Sequence, residues 1–289
     1  MYKIAILGCE NSHANNFLRV IYKEKLVSDV EVVGVYSYDM EAAQKLHEEY
    51  GVAVAESYDA FVGKVDGIMI TARHGDNHYK YAKPYLDSGI PMYIDKPITC
   101  TEADAKAFMQ ELKDRNVRVS GGSLCVLNHY VQELKQTVLE EKCGKVICGY
   151  LRAPIIMDSP HGGFFFYAQH LAQSMMEIFG YYPESVLTWQ KGENVYCDVH
   201  YADYDVDLTY TGGCWKYYAS VSGNNDLVCK QFSNDDIFEK GFVEFHNLLE
   251  GKPQKQTYED FFAPVFVLNA MYRSLQSGQV ERVKRIEEI

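Results

Sequence analysis

One lysine stands where a predicted strand ends and the chain turns. The run Pro91–Ile94 is short and apolar, which is typical of a buried strand, and Asp95, Lys96 and Pro97 follow it. In an open parallel sheet, ligands bind at the carboxyl ends of the strands. A lysine at that edge can donate a proton or hold an oxyanion once burial lowers its pKa. Lys96 is therefore a candidate catalytic residue, and the alternative interpretation is a lysine in a surface loop.

A histidine forms part of a second polar group, which follows a pair of glycines. After Gly162 and Gly163 the sequence FFFYAQHLAQSMMEIF indicates a largely apolar helix. One face of this helix carries polar residues at spacings of three and four, namely His170, Gln173 and Glu177. Because histidine is the usual proton-transfer group near neutral pH, His170 is a second catalytic candidate. The alternative is a buried histidine that only makes structural hydrogen bonds.

The turn after the first predicted strand bears on whether a dinucleotide binds. Rossmann domains carry G-x-G-x-x-G at this turn, because glycines let a pyrophosphate approach the backbone where a helix begins. This chain keeps Gly8, but Glu10 and His13 occupy the second and third glycine positions. A carboxylate roughly 4 Å from a phosphate costs about 4 kcal/mol at an effective dielectric near 20, or about three decades of affinity. Glu10 therefore turns outward, or the dinucleotide binds differently, or none binds; a protonated His13 would offset part of the charge.

The end of the second predicted strand indicates which dinucleotide is used. An acidic residue there binds the ribose hydroxyls of NAD, whereas a small residue with an arginine nearby suits NADP. Ser37 occupies this position, and Tyr38 and Asp39 follow it. Ser37 favours NADP, but the expected arginine is missing, so the preference stays open.

The elements that position these residues alternate between strand and helix in the first half. The predicted strands are short and mostly apolar: Tyr2–Leu7, Val30–Tyr36, Val52–Val54, Val65–Thr71, Pro91–Ile94 and Val117–Gly121. Helical patterns separate them, with Ser12 predicted to cap the first helix and Pro84 to bend the helix Asn77–Asp87. This alternation predicts a doubly wound parallel sheet, a Rossmann-like dinucleotide-binding domain, over residues 1–121.

Residues 122–289 are predicted to form an α+β domain for substrate binding and oligomerisation. From Ser185 to Phe232 apolar and polar residues alternate, with turn signals at Gly212-Gly213 and at Gly223. The pattern predicts a largely antiparallel open sheet, a meander with one face packed on helices. Two helices finish the chain, and Pro264 is expected to kink or restart the second of them.

These motifs resemble the Gfo/Idh/MocA family (glucose–fructose oxidoreductase / inositol dehydrogenase). The resemblance covers nearly the whole chain, from KIAILG near the start to NAMYRSLQSG near the end. Family members carry Glu-Lys-Pro at a strand end, with a lysine that works in hydride transfer, and this chain has D-K-P at residues 95–97. The family's site helix carries Asp-x-Gly-x-His. Here His170 matches the histidine, while Phe166 and Ala168 stand at the aspartate and glycine positions.

The resemblance implies roles for residues in both halves of the chain. The catalytic set would be Lys96, His170 and Tyr167, the last supplying a hydroxyl in place of the missing carboxylate. The cofactor-binding set would be Gly8, Glu10, Asn11, Ser12, His13, Ser37, Tyr38, Thr71, His74, His78, Asp95 and Lys96. The substrate-binding set would be His161, Phe166, His170 and Gln173, with Phe166 able to stack on a sugar ring. No metal site is expected.

Composition sets outer limits on function. The 289 residues are 47% hydrophobic and 24% charged, as in ordinary globular proteins of about two domains. No apolar run approaches the roughly 20 residues of a membrane span, and no signal peptide is expected because a strand begins at once. Eight scattered cysteines predict reduced thiols and a cytoplasmic protein. A net charge of −12 without a basic block argues against nucleic acid or anionic membrane as a partner.

The sequence therefore predicts an NAD(P)-dependent oxidoreductase that transfers hydride to or from a sugar, cyclitol or related hydroxy compound. Lys96 would relay the proton and His170 would assist, the two converging across one cleft with the dinucleotide between the domains. Family members associate through the open face of the second sheet, which implies a homodimer or homotetramer. Two alternatives stay open. One is a redox-inactive ligand-binding or regulatory protein on this scaffold, which Glu10, His13 and Phe166 favour, and the other is NAD-dependent glycoside cleavage.

Overall fold

The computed structural model describes residues 1–288, which form two compact units. The first comprises Met1–Thr99, Asp104–Gly122 and Phe238–Tyr258, and the second comprises Cys100–Ala103, Ser123–Ile237 and the residues from Glu259 onward. The domain division expected after residue 121 stays a prediction. The segment Phe238–Tyr258 belongs to the first unit although it comes late in the chain.

The described chain holds twelve β-strands and eight α-helices. The strands are β1 (Tyr2–Leu7), β2 (Val30–Tyr36), β3 (Gly67–Ile70), β4 (Met92–Asp95), β5 (Val119–Gly122), β6 (Val146–Pro154), β7 (Ser185–Lys191), β8 (Asn194–His200), β9 (Asp205–Thr211), β10 (Tyr217–Gly223), β11 (Leu227–Phe232) and β12 (Glu281–Arg282). The helices are α1 (Ser12–Leu18), α2 (Met40–Tyr50), α3 (Asp76–Ala82), α4 (Glu102–Asp114), α5 (His129–Leu139), α6 (Phe164–Phe179), α7 (Ile237–Leu249) and α8 (Tyr258–Ser277). Strands and helices alternate as far as β7, and the strands β7–β11 follow one another without an α-helix between them.

Five strands form the sheet of the first unit, in the order β2-β1-β3-β4-β5. Every neighbouring pair runs parallel. All residues of β3 and β4 are buried, as expected for strands covered on both faces. The predicted doubly wound, Rossmann-like sheet is confirmed. Because the strand order reverses at β1, the carboxyl ends of β2, β1 and β3 lie side by side, where such sheets bind ligands.

The start of α1 differs from the prediction by one residue. Asn11, not Ser12, is the N-cap: its backbone is extended, and its side chain accepts a hydrogen bond from the backbone N–H of His13. Ser12 is already the first helical residue and is exposed. Both residue types cap helices well, so the sequence alone does not choose between them.

Two other local expectations for the first half need correction. The strand expected at Val52–Val54 is only an isolated bridge, in which Val54 pairs in parallel with Val35. The helix expected to bend at Pro84 ends earlier, at Ala82, and a 3₁₀ turn, Lys83–Ser88, follows. Pro84 lies in the first turn of that 3₁₀ segment, where its missing N–H is not needed.

The sheet of the second unit has seven strands in the order β11-β10-β6-β9-β8-β7-β12. All neighbouring pairs are antiparallel except β6 and β9, which run parallel. The predicted, largely antiparallel sheet is confirmed, but the meander is interrupted, because β6 inserts between β9 and β10. A parallel pair needs a long crossover, which α6, β7 and β8 supply. Alternate residues of β8 and β9 are buried, and α6 packs on β6 and β9.

Pro264 lies inside α8 without ending it. The expected restart is wrong, since α8 runs from Tyr258 to Ser277 as one helix. A proline inside a helix costs about 3 kcal/mol, because it removes a hydrogen bond and crowds the preceding turn. The residues around it are buried, among them Phe261, Phe262 and Phe266, and burial of such side chains stabilises by about 1.5–3 kcal/mol each. Packing therefore outweighs the local preference to break.

Helix α7 completes the first unit although it follows the second sheet in the chain. A Cβ atom on Gly67 of β3 would lie 2.6 Å from Leu249 and 3.0 Å from Phe245, so the helix packs where β3 has no side chain. Phe245 is fully buried. Nε2 of His246 lies 2.8 Å from Oδ1 of Asp29 and holds the same helix to the start of β2.

Within residues 1–288, every helix is too short or too polar to cross a lipid bilayer. No disulfide joins any of the eight cysteines in that part of the chain. Burial raises the pKa of the thiols of Cys9 and Cys197, in the second case to about 12. These two residues therefore stay protonated near neutral pH and pack as small apolar side chains.

Candidate active site

The turn after β1 passes close to the residue that follows β3. Gly8 has a positive φ of 92°, and a Cβ atom there would lie 2.3 Å from Cα of Ala72. Thr71 Oγ1 donates to the carbonyl oxygen of Gly8 at 2.5 Å. Asn11 both caps α1 and donates from Nδ2 to the carbonyl oxygen of Thr71 at 2.7 Å. Only glycine fits at position 8, and the turn is fixed to the end of β3.

Glu10 reaches across the carboxyl edge of the sheet. Its Oε2 accepts a hydrogen bond from Oγ of Ser37 at 2.9 Å, directly after β2. Its Oε1 accepts from the backbone N–H of Arg73 at 2.8 Å. Ser37 is fully buried, whereas Glu10 is half-buried and Tyr38 beside them is 53% exposed. The carboxylate of Glu10 is thus held at the ends of β2 and β3, and which of the alternatives left open by the sequence applies to a bound dinucleotide stays a prediction.

His13 is held against the strand that carries the candidate lysine. Nδ1 of His13 lies 2.5 Å from Oδ2 of Asp95, which is 1% exposed. Burial alone would raise the pKa of Asp95, but the charges of His13 and Lys96 outweigh it and hold the pKa below its ordinary value. The His13 ring also packs edge-on to Phe238, with 5.0 Å between ring centroids. The residue in the third glycine position therefore ties α1 to β4.

Lys96 directly follows β4 and is 6% exposed. Its backbone N–H donates to Oδ1 of Asp95 at 2.8 Å, and the Lys96–Pro97 peptide bond is cis. The predicted location of this lysine at the carboxyl end of a parallel strand is confirmed. Its catalytic role stays a prediction.

The two histidines after β3 have different surroundings. His78 is fully buried, with Nε2 2.8 Å from the carbonyl oxygen of Ala72 and Nδ1 3.3 Å from that of Ile98. Burial lowers the pKa of His78, so its imidazole is neutral near pH 7. His74 lies in the turn before α3, where Nδ1 accepts from the backbone N–H of Asp76 at 3.3 Å. The neutral ring has one N–H and so donates to only one of these two carbonyl oxygens. A role of either histidine toward a cofactor stays a prediction.

In the second unit, α6 presents His170 to the segment that begins at Ser123. Nδ1 of His170 lies 2.8 Å from Oγ of Ser123 and 3.3 Å from Sγ of Cys125. Gln173 Oε1 accepts from the backbone N–H of Ser123 at 2.8 Å and from Gln169 at 2.9 Å. Two of the polar residues predicted on this helix face thus hold one short segment. Their contacts with a substrate stay predictions.

The amide of Gln173 and the carboxylate of Glu177, both on α6, differ in their hydrogen-bond partners. Nε2 of Gln173 is buried and has no hydrogen-bond acceptor among residues 1–288. Glu177, one turn further on, accepts from Lys135 of α5 at 2.8 Å and from Tyr181 at 2.5 Å. The polar residue nearer the C-terminal end of α6, Glu177, therefore joins α6 to α5, while His170 and Gln173 contact the segment that begins at Ser123.

A chain of aromatic rings at the start of α6 reaches His170 through Tyr167. The Tyr167 ring lies 5.6 Å from the His170 ring and meets Trp215 edge-on at 5.4 Å between centroids. Phe166 is 6% exposed, with its ring 5.0 Å from Tyr167 and 5.6 Å from His161. We call these four rings (His161, Phe166, Tyr167 and Trp215) the aromatic wall. Flat rings with one exposed member suit the apolar face of a sugar or cyclitol ring.

Three of these residues were not predicted as site residues: Ser123, Cys125 and Trp215. Ser123 lies just after the predicted end of the first domain at residue 121, where no motif marks it as a site residue. Trp215 was expected within an alternating strand, but β10 begins at Tyr217. At 57% exposure, Trp215 lies among the most exposed large side chains of the described chain, and such exposure is not visible in sequence.

The turn after β1 fits a dinucleotide better than its sequence suggests. The carboxylate of Glu10 bends toward Ser37 at the end of β2, and Rossmann domains bind the adenosine ribose there rather than the pyrophosphate. Gly8 keeps the tight first turn that the motif requires. The residues present therefore fit the adenosine half of a nicotinamide dinucleotide, which Gly8, Glu10 and Ser37 would hold.

Comparison of the sequence with protein families gives one match. Residues 2–123 match the Gfo/Idh/MocA model, described as an oxidoreductase family with an NAD-binding Rossmann fold. No curated protein sequence matches the chain with significance.

Solved structures share the fold over nearly the whole chain. Myo-inositol 2-dehydrogenase from Lactobacillus plantarum is 15% identical, with 98% of this chain and 99% of that chain covered and a TM-score of 0.86. Scyllo-inositol dehydrogenase from Lactobacillus casei, with bound NAD(H) and scyllo-inositol, is 13% identical, with coverages of 98% and 99% and a TM-score of 0.85. A myo-inositol dehydrogenase from Corynebacterium glutamicum is 16% identical, with coverages of 98% and 99% and a TM-score of 0.83. Over residues 2–123, the chain is therefore similar to the NAD-binding Rossmann domain of the Gfo/Idh/MocA oxidoreductase family, and over nearly its whole length it shares the fold of these solved structures.

Proposed function

We propose that this chain is an NAD-dependent oxidoreductase that acts on a CH–OH group of a cyclitol or a related sugar-like compound. Three proteins of similar fold are myo-inositol or scyllo-inositol dehydrogenases, and one was solved with both NAD(H) and scyllo-inositol. The observation that carries the proposal is the place of Lys96. It is nearly buried at the carboxyl end of β4, in a domain of an NAD-binding family.

In this proposal, two side chains handle the proton. Bound NAD supplies the hydride acceptor for the carbon that carries the hydroxyl group. Nζ of Lys96 takes the hydroxyl proton, and His170 assists through its imidazole ring, which Ser123 Oγ positions at 2.8 Å from Nδ1.

The aromatic wall supports a ring-shaped, polyhydroxylated substrate. Such a molecule presents C–H groups on its faces and hydroxyl groups at its edges, so it can stack on an aromatic ring and still form hydrogen bonds. In this proposal Tyr167 and Trp215 take the ring face, and Gln173 offers its buried amide N–H group to a hydroxyl.

Turnover with a panel of polyols tests the proposal. The purified protein is mixed with NAD and myo-inositol, scyllo-inositol or glucose, and formation of reduced nicotinamide is followed by absorbance. Lys96→Met is expected to lower kcat by about 10³-fold, because a positioned general base typically contributes a factor of this size. Lys45→Met is the matched control, because Lys45 is exposed on α2. Absence of both NAD binding and turnover would contradict the proposal.

The same assay separates the two alternatives. A redox-inactive binding protein, which Phe166 at the aspartate position favours, would bind a polyol without forming reduced nicotinamide. A glycoside-cleaving enzyme would release sugar with no net change in NAD. The fold alone does not distinguish a dehydrogenase from a binding protein or a glycoside-cleaving enzyme, so the products of the assay distinguish them.

The exposed face of the second sheet is suited to contacts between subunits. By strand register, the face of the second sheet away from α6 carries two aromatic pairs, Trp189 with Tyr196 at 5.6 Å and Tyr150 with Tyr218 at 5.8 Å between centroids. We expect this face to join subunits into a homodimer or homotetramer, because exposed aromatic patches mark interfaces. Light scattering of the wild-type protein and of Trp189→Glu would test it. The scattered, disulfide-free cysteines favour a cytoplasmic location.

A further inference from the structure

We propose that Glu10 binds the adenosine ribose of NAD and makes the chain prefer NAD to NADP. The inference rests on the proposed function, because it requires a nicotinamide dinucleotide at the carboxyl ends of β1 and β2. NAD-specific Rossmann domains use an acidic residue at the end of β2 to bind the ribose 2′-hydroxyl. In this chain Ser37 occupies that position, so an acid must come from another segment.

The carboxylate of Glu10 lies beside the position that the missing acid would occupy. It is bonded at 2.9 Å to Ser37, the first residue after β2, and at 2.8 Å to the N–H of Arg73, three residues after β3. Both donors are on well-anchored segments, since Ser37 is fully buried and the backbone of Thr71 pairs with β1. The side chain of Glu10 therefore extends from the turn after β1 to the carboxyl end of β2.

The carboxylate keeps acceptor capacity for a ribose. Two carboxylate oxygens offer about four acceptor positions, and the hydrogen bonds to Ser37 and Arg73 use one on each oxygen. Glu10 is half-buried, so part of its side chain remains accessible. The ribose hydroxyls are donors, and a hydrogen bond to a charged acceptor is about twice as strong as one between neutral groups.

The same arrangement disfavours the 2′-phosphate of NADP. Like unit charges about 4 Å apart repel enough to lower affinity by about three decades at an effective dielectric near 20, as an upper estimate. Oγ of Ser37, which would otherwise donate to a phosphate, already donates to Glu10 and accepts from the N–H of Asp39 at 3.2 Å.

Two neighbouring residues offer competing explanations. Burial and the charges of Glu10 and Asp39 raise the pKa of Tyr38, and the charge of Arg73 opposes the rise, so Arg73 is the competing candidate to pair with a 2′-phosphate. Asp39 is an exposed acid two residues beyond Ser37. Its Oδ1, however, accepts from the N–H of Ala42 at 3.2 Å and caps α2.

Calorimetric titration with NAD and with NADP, at one fixed salt concentration, tests the assignment. The wild-type protein is expected to bind NAD about 100-fold more tightly than NADP. Glu10→Gln keeps the shape of the side chain but removes its charge, and should lower this ratio by about 100-fold, chiefly through tighter NADP binding. Asp39→Asn keeps a good helix cap and should change the ratio by less than about threefold.

A second variant keeps the test valid if Glu10→Gln fails to fold. Ser37→Ala retains the charge of Glu10 but removes one of its two anchors. It should weaken NAD binding by about tenfold while NADP stays excluded, as for loss of one hydrogen bond to a charged group. Circular dichroism melts confirm that each variant is folded.

The outcomes are distinguishable. Equal wild-type affinities for the two dinucleotides, or an unchanged ratio in Glu10→Gln, would overturn the role of Glu10 and leave the proposed function intact. A wild-type preference for NADP that Arg73→Gln abolishes would assign the site to Arg73 instead. Failure of the wild-type protein to bind either dinucleotide would overturn the proposed function together with this inference.

Discussion

The turn after β1 and the helix α6 both differ from the motifs of the family that the sequence resembles, with opposite chemical results. In the turn, Glu10 and His13 stand in glycine positions, and each finds a partner at the end of another strand, Ser37 after β2 and Asp95 of β4. In α6, Phe166 stands in an acid position and is buried against other aromatic rings. Compared with those motifs, the turn carries two additional polar side chains, whereas the helix carries one fewer.

The difference follows from what each element offers to a new side chain. At the carboxyl edge of a parallel sheet, loops leave backbone N–H groups and hydroxyls available, so an added carboxylate can be satisfied. Inside a helix the backbone groups are already bonded to one another, so side chains on a buried face depend on packing. A polar side chain added at the sheet edge can form hydrogen bonds with the loops, whereas an apolar side chain that replaces a polar one on the helix can pack among its buried neighbours.

Restoring the acid on α6 should have the largest effect. Phe166 is 6% exposed, so Phe166→Asp loses a buried ring and places a carboxylate among aromatic side chains. We expect the free energy of unfolding to fall by about 4 kcal/mol, measured by urea denaturation. Phe166→Leu, which stays apolar, should cost about 1 kcal/mol. A loss below about 1 kcal/mol for the aspartate would mean that the helix accommodates an acid after all.

A methyl group in the turn after β1 should have the next largest effect. Gly8→Ala forces a Cβ atom to within 2.3 Å of the Ala72 backbone, at a φ of 92°. We expect the free energy of unfolding to fall by about 3 kcal/mol. Gly51→Ala is the matched control: φ is 72°, but nothing lies within 4 Å, so strain alone should cost about 1 kcal/mol. Equal losses would show that the close approach to Ala72 does not matter.

Removal of the His13 ring should give a smaller, pH-dependent effect. The pKa of Asp95 is held below its ordinary value, so the contacts that lower it stabilise the fold above the ordinary aspartate pKa, about 4, and this stability is lost as the pH falls through the lowered value. His13→Ala should lower the free energy of unfolding by about 2 kcal/mol near pH 7, with the difference shrinking below about pH 4. Denaturation of both proteins across this range measures it.

The control for that pair is His200→Ala. His200 lies 2.8 Å from Asp205, but both side chains are largely solvent-accessible, at 34% and 62% exposure. Solvent screening makes such pairs weak, so stability should barely change. A large, pH-dependent loss in this control would mean that burial of Asp95 is not what gives the His13 pair its strength.

Loss of the exposed ring in the aromatic wall should give the smallest change in stability and show instead in binding. Trp215→Ala is expected to raise KM for the polyol by about tenfold with kcat within about threefold, since stacking stabilises the bound ring by about 1 kcal/mol. Leu139→Ala, at an exposed position at the end of α5, should leave KM unchanged. An effect of Leu139→Ala as large as that of Trp215→Ala would contradict a role of the aromatic wall in substrate binding.

The parts of the molecule that sequence predicts well are those that local rules decide. Buried strands alternating with amphipathic helices gave the first sheet, and the apolar run before Asp95 placed Lys96 at a strand end. The partners of the site residues lie far along the chain and follow from no local rule. Ser37 is 27 residues from Glu10, Arg73 is 63 residues from it, and Ser123 is 47 residues from His170.

The same reasoning explains the errors in detail. Asn11 and Ser12 are both suitable caps, and Asn11 is selected because its amide also donates to Thr71, which is 60 residues away. The insertion of β6 beside β9 depends on which distant strands pair with each other. The alternation of apolar and polar residues predicts that a strand forms, but not which strand it pairs with. Pro264 stays inside α8 because the surrounding side chains are buried, a property of the packed structure.

The packing of α7 against Gly67 also bears on how the chain is made. The five strands of the first sheet are complete by residue 122, but the helix that covers β3 begins only at Ile237. At typical rates of synthesis, the ribosome needs about ten seconds to reach it, and during that time an apolar surface stays open. A chain ended at residue 122 would keep that surface permanently, so we expect it to aggregate under conditions where the whole protein remains dispersed.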